Sequence, residues 1–115
     1  MDYSSKIDSE ALILSLQGNL IGEEVGVALL KEADQAIGEG IKYCIIDINE
    51  VKYINSSGIG VLITILTKFR NQSGEVCIVN PSEHVKKLLI ITKLNAIFNI
   101  ENTLAEAILK LKSEN

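Results

Sequence analysis

Apolar and polar residues along this chain follow two rhythms. "YSSKID" and "ALILSLQG" read as two short strands, with "SEALI" between them as a tight turn. "EEVGVALLKEADQAIGEG" instead sets Val25, Ala28, Leu29, Ala33, Ala36 and Ile37 near helical spacing, and Gly38 and Gly40 supply a stop. "YCIIDI" is short, β-branched and nearly all apolar, as a central strand covered on both faces would be. In "SSGIGVLITILTKFRNQSG" the positions Ile59, Leu62, Ile63, Leu66 and Phe69 form one helical stripe. "EVCIVN" is another buried strand. "PSEHVKKLLIIT" carries Val85, Leu88 and Leu89 at helical spacing, started by Pro81 and Ser82. "AIFNI" fits a short last strand. In "TLAEAILKLK", Thr103 and Glu106 stand at capping-box spacing and Leu104, Ile108 and Leu111 share a face.

Strands alternating with helices predict an α/β fold. It is a mixed, mostly parallel sheet of four to five strands with helices packed against it, and the opening hairpin is its antiparallel part. In such sheets functional groups collect where strands end and helices begin. "INSSG" and "GNLIG" both lie at such junctions.

Composition narrows the function. Residues 1–115 make one domain, large enough for a core without disulfide or metal staples. The net charge of −4, with lysines spread along the chain, argues against nucleic acid or an anionic membrane as partner. No apolar run is long enough to span a bilayer, and "MDYSSKIDSE" lacks the layout of a signal peptide, so the expected location is cytoplasmic. Cys44 and Cys77 sit inside apolar runs and read as buried, reduced thiols. With His84 the only histidine, zinc patterns are absent, and neither metal nor cofactor is expected.

The chemistry concentrates in "VKYINSSGIGVLITIL". Asn55 or Ser56 suits a helix N-cap, worth about 1 kcal/mol over alanine. A serine hydrolase would need G-x-S-x-G, yet Ile54 and Asn55 stand where the first glycine belongs. "GIGVLI" has G-x-G without the third small residue, and no G-K-[ST] follows, so a nucleotide cradle is not specified. Phosphorylation fits better. A helix N-terminus accommodates the added roughly −1.5 to −2 charges, whereas a partner interface would have to desolvate them. Opposite the apolar stripe, Ser57, Val61, Thr64 and Lys68 share a side, with Ile65 flanking. Either a neighbouring helix or the domain edge covers that side, or it is an exposed apolar strip that docks another protein.

"IIDINEVKYINSSGIGVLI" resembles the signature of STAS domains, specifically bacterial anti-sigma-factor antagonists of the partner-switching type. Their pattern runs from a strand with an acidic end through a short loop into D-S-[ST]-G-[LI]-G-x-L. "ALILSLQGNL" and "NQSGEVCIVNPSEHVKKLLIITKLNAIF" resemble the flanking strand, loop and helix, so the likeness covers roughly residues 11–109. The resemblance implies a non-enzymatic domain that binds an anti-sigma factor, itself a serine kinase, and frees a sigma factor. Phosphorylation ends that binding and a serine phosphatase restores it. By position Ser56 is the phospho-acceptor. Asn55, Ser57, Gly58, Ile59, Gly60, Val61, Thr64 and Ile65 form the partner contact, with the loop Gly18, Asn19, Leu20, Ile21 and Gly22 alongside. Asn55 replaces the family's aspartate, which keeps the capping geometry and removes a charge. The alternative is an unphosphorylated STAS scaffold or ligand-sensing module.

Overall fold

The computed structural model of the protein describes residues 2–20 and 23–113. Strands β1 (Asp2–Asp8) and β2 (Ala11–Leu20) form an antiparallel hairpin. Its two turn residues, Ser9 and Glu10, have φ of 53° and 67°. Positive values at both positions match the turn to the right-handed twist of the strands. There follow α1 (Glu23–Gly38), β3 (Tyr43–Ile54), α2 (Ser56–Arg70), β4 (Glu75–Val79) and α3 (Glu83–Ile91). A single 3-10 turn (Leu94–Ala96), β5 (Asn99–Glu101) and α4 (Leu104–Ser113) complete the chain.

The strands lie in chain order, β1-β2-β3-β4-β5, parallel from β2 onward. Three successive crossovers between adjacent parallel strands put α1, α2 and α3 on one face of the sheet. There Leu14 and Leu16 of β2 and Ile46 of β3 meet Leu29, Leu62 and Phe69 of the helices. The other face has one cover, α4, whose Ala107 and Leu111 pack on Ile13, Ile45 and Val79. Both faces of the central strands are therefore dry, and their sequences read as continuous apolar runs rather than as an alternation. Ser82 Oγ accepts a hydrogen bond from the Val85 N–H (3.2 Å), and Thr103 Oγ1 one from the Glu106 N–H (3.1 Å), so α3 and α4 start where their sequences signal.

Three elements differ from the sequence expectation. β3 does not stop after "YCIIDI" but runs on to Ile54. Beyond Asp47 it has left β4 and pairs only with the end of β2, from Gln17↔Glu50 to Leu20↔Ile54. Polar residues are tolerated in this ribbon because only one neighbour and one face cover it. "AIFNI" divides into the end of the 3-10 turn and the start of β5, with Phe98 buried between them. On α2 the buried set is Gly58, Leu62, Ile65, Leu66 and Phe69. Ile63, expected in the core, is 38% exposed, and Ile65, expected to flank the outer face, is fully buried. The helix is wedged between the sheet and α1, so its dry arc is wider than one stripe and turned toward α1.

Cys44 and Cys77 are buried and in no disulfide, on opposite faces of the sheet. Burial, with a smaller contribution from Cys77, pushes the Cys44 thiol far above its ordinary value. Native protein is therefore expected to resist a thiol-specific reagent such as Ellman's, and both cysteines to react after unfolding in denaturant. Rapid labelling of native protein would contradict this burial.

Candidate functional site

The junction of β3 and α2 is built from both strands of the ribbon. Gly18, at φ 98°, lies at a shift in register between β2 and β3 that turns the end of β2 toward α2. The Leu20 carbonyl then accepts a hydrogen bond from the Asn55 N–H at 3.2 Å. Asn55, in extended conformation, is the N-cap. Its Oδ1 accepts from the Gly58 N–H at 2.9 Å and its own carbonyl from the Ile59 N–H at 2.9 Å. Of the two cap candidates in the sequence, the asparagine fills the role, and the serines are left free.

Ser56 is the first helical residue and is exposed, as is Ser57. Among the described residues the Ser56 hydroxyl has no hydrogen-bond partner, while the N–H groups of a helix's first turn have no intrahelical acceptor. From Ser56 an exposed line runs along the helix at spacings of four, three and four: Ser56, Gly60, Ile63 and Thr67. Thr64 stands beside it. The hydroxyls of Thr64 and Thr67 are satisfied by the helix's own carbonyls, at Gly60 (2.8 Å) and Ile63 (3.0 Å). Upstream, Tyr53 is half exposed and in register with exposed Asn19.

Two glycines in "SSGIG" do different things. A Cβ on Gly58 would run into the Leu20 carbonyl oxygen, so the helix passes this close to β2 only because the residue has no side chain. A Cβ on Gly60 would meet no described residue within 4 Å. A glycine in an exposed helix costs about 0.5–1 kcal/mol relative to alanine, and nothing among the described residues explains it at position 60.

Three residues expected at the partner surface are buried: Leu20, Gly58 and Ile65. They hold the junction together, and their side chains are out of a partner's reach in this state. Val61 is half buried against α1, its Cγ2 over Gly26, and Lys68 pairs with Asp34 of α1 at 2.9 Å. A neighbouring helix, α1, thus covers Val61 and Lys68 on that side of α2, while Ser57 and Thr64 stay exposed. Gly18, Asn19, Ser57, Gly60 and Thr64 are exposed, while Asn55 and Ile59 are partly so. Ile21 and Gly22 lie outside the described residues. Sequence reasoning missed Ile63 and Tyr53. Their helical and strand spacing signalled core and loop, and only the covering of neighbouring residues shows them outside.

Val61→Glu is accordingly expected to destabilise the fold, by roughly 1–3 kcal/mol, because its carboxylate would be forced against α1. Chemical denaturation measures this, and an unchanged midpoint would mean that α1 does not press on Val61.

The STAS domain family model matches residues 3–107. The chain belongs to the STAS domain family. This STAS domain is 31% identical over 75 residues to a Thermotoga neapolitana protein named as a candidate anti-sigma factor antagonist. The match covers 65% of this chain and 66% of that protein, just under two thirds of its length. A solved structure of a Thermotoga maritima protein with the same candidate designation superposes with a TM-score of 0.85 at 25% identity, covering 96% of this chain and 94% of that one. The fold is also that of the anti-sigma factor antagonist SpoIIAA of Bacillus. Its unphosphorylated form gives a TM-score of 0.74 at 16% identity (95% and 96% covered), its phosphorylated form 0.73 at 20% (95% and 98%). Among the described residues of the STAS domain no helix is long and apolar enough to cross a membrane, and no group of three or more His, Cys, Asp or Glu side chains could hold a metal ion.

Proposed function

We propose that this STAS domain is an anti-sigma-factor antagonist. It binds an anti-sigma factor that is also a serine kinase, through the exposed line of α2, and phosphorylation at Ser56 releases it. The observation that carries this reading is the division of labour at the junction. Asn55 does the capping, so Ser56 presents a hydroxyl with no partner among the described residues, at the head of an exposed strip whose Gly60 and Ile63 pack against none of them closely. A partner whose backbone lies close over Gly60 would bury Ile63, and the glycine's intrinsic cost becomes intelligible. The relatives, named as candidate anti-sigma factor antagonists, point the same way.

A phosphate on Ser56 is tolerated by the domain and rejected by the interface. It meets the free N–H groups and positive end of α2, and the whole stretch 51–74 contains no aspartate or glutamate to repel it. In the complex the same charge would have to shed its water against the partner. Among the described residues nothing hydrogen-bonds the Ser56 hydroxyl as a general base would, which weighs against Ser56 as an activated nucleophile.

Incubated with ATP and extract of the native cell, the protein is expected to gain the mass of one phosphate, mapped by mass spectrometry to Ser56 and absent in Ser56→Ala. A phosphate elsewhere, or none in extract that phosphorylates other substrates, would favour an unphosphorylated scaffold or ligand-sensing module.

A further inference from the structure

A second surface lies at the other edge of the sheet, on α3 and β5. Its basic residues come from one acid-free stretch of the chain, bounded by Glu83 and Glu101. Residues 1–50 hold ten acidic against three basic side chains, whereas residues 51–100 hold two against six. From residue 84 to residue 100 there is no acid at all, while His84, Lys86, Lys87 and Lys93 are all exposed. Among the described residues none of the three lysines enters an ion pair; the pairs present are Lys68–Asp34 and Arg70–Glu75.

Apolar surface is exposed in the same place. Ile90 is 54% and Ile91 77% exposed, on consecutive positions at the end of α3. Beside them runs a groove of about 400 Å³ lined by Lys86, Ile90, Asn95, Ile100 and Asn102. Its floor includes β5, the last strand of the sheet, whose outer edge no other described strand pairs with. An unpaired edge beside an apolar groove and unpaired cations is the form in which strand-adding peptides are received.

We infer that this groove is a docking site for an acidic, extended segment of another protein. The segment adds to the edge of β5, sets an apolar side chain between Ile90 and Ile100, and brings carboxylates to Lys86 and Lys93. Charge decides the class of occupant. The patch is locally basic, yet the domain as a whole is at −4, so an anionic bilayer would repel most of the molecule while attracting one corner. No exposed aromatic residue lies on α3 or β5 to anchor at a lipid interface. An acidic peptide is small enough to meet the corner alone. The groove lies along the β5 edge, two strands across the sheet from the β3–α2 junction, so both surfaces can be occupied together.

The test uses the full chain, labelled with nitrogen-15, titrated with a short end-capped peptide that alternates glutamate and valine. Amide shifts confined to residues 86–102 are expected, with affinity that weakens as salt rises. Lys86→Glu with Lys93→Glu should weaken binding about tenfold or more, and Ile90→Ser should do so without altering charge. These positions are exposed, so the melting temperature should hold. Ser56→Asp should leave peptide binding unchanged, which separates this site from the α2 strip. The inference is overturned if millimolar peptide moves no amide between 86 and 102, or if a lysine-valine peptide binds as well. It is equally overturned if vesicles of phosphatidylglycerol and phosphatidylcholine compete for the same amides, or if sedimentation shows a second copy of the chain occupying them.

Discussion

Gly58→Ala is expected to cost roughly 2 kcal/mol or more of stability and to lower the melting temperature by about 10 °C. The added methyl would have to occupy the space of the Leu20 carbonyl oxygen, with Leu20 Cγ and Ile54 Cγ2 also at 2.9 and 3.0 Å. Backbone cannot swing aside as a flexible side-chain end can. Either α2 lifts from the ribbon, exposing Leu20 and Ile54, or the Leu20–Asn55 hydrogen bond breaks. Gly60→Ala, two residues on, is the control with opposite sign. Its Cβ has open space, so helix propensity should raise stability by about 0.5–1 kcal/mol. If Gly60 is where a partner's backbone approaches, the same methyl should weaken partner binding. Thermal unfolding by circular dichroism compares the two directly. A Gly58→Ala protein as stable as the parent would mean that the junction is looser than its geometry implies.

Ser56→Asp should fold normally and lose partner affinity by more than tenfold, about 1.4 kcal/mol or more. The stability half of this rests on α2's own electrostatics. A carboxylate at the first helical position faces the positive end of the helix dipole, and Asn55 still provides the cap. The binding half rests on desolvation, since a charge brought against a partner without a counter-charge loses its hydration uncompensated. Immobilised partner, recovered by wild-type protein from native extract, would give both affinities by calorimetry or surface binding. Ile63→Asp is the companion variant. It removes the one large apolar side chain on the exposed line and should weaken binding with little effect on melting. Equal affinity of Ser56→Asp and wild type would place Ser56 outside the interface.

Much of this was legible along the chain. The order of elements, the caps at Ser82 and Thr103 and the buried thiols follow from spacing and residue type, because helix and strand periods are local and strongly written in "EEVGVALLKEADQAIGEG" and "EVCIVN". "INSSGIG" marked the junction and left only the choice of cap open. What failed was the direction in which residues face. "GIGVLITIL" is apolar nearly all round, so no single stripe is singled out. The turn of α2 toward α1 buried Ile65 and exposed Ile63. Likewise "NEVKYI" looks like loop by composition and is strand because β2 happens to run alongside it.

Sequence by itself determined that the chain folds as an α/β domain with two serines at the head of a helix, since these depend on neighbours a few residues apart. The tertiary structure alone decided which serine neighbour caps, which glycine is a packing necessity and which is not, and where charge collects. Gly58 and Gly60 are indistinguishable in sequence, and only the carbonyl of Leu20, far away along the chain, separates them. The imbalance of charge between the two halves of the chain is written in the sequence, but its place on the molecule is not. The sheet order sets the acidic first half at one edge and the α3–β5 corner at the other, because chain-order strands turn sequence position into position across the molecule.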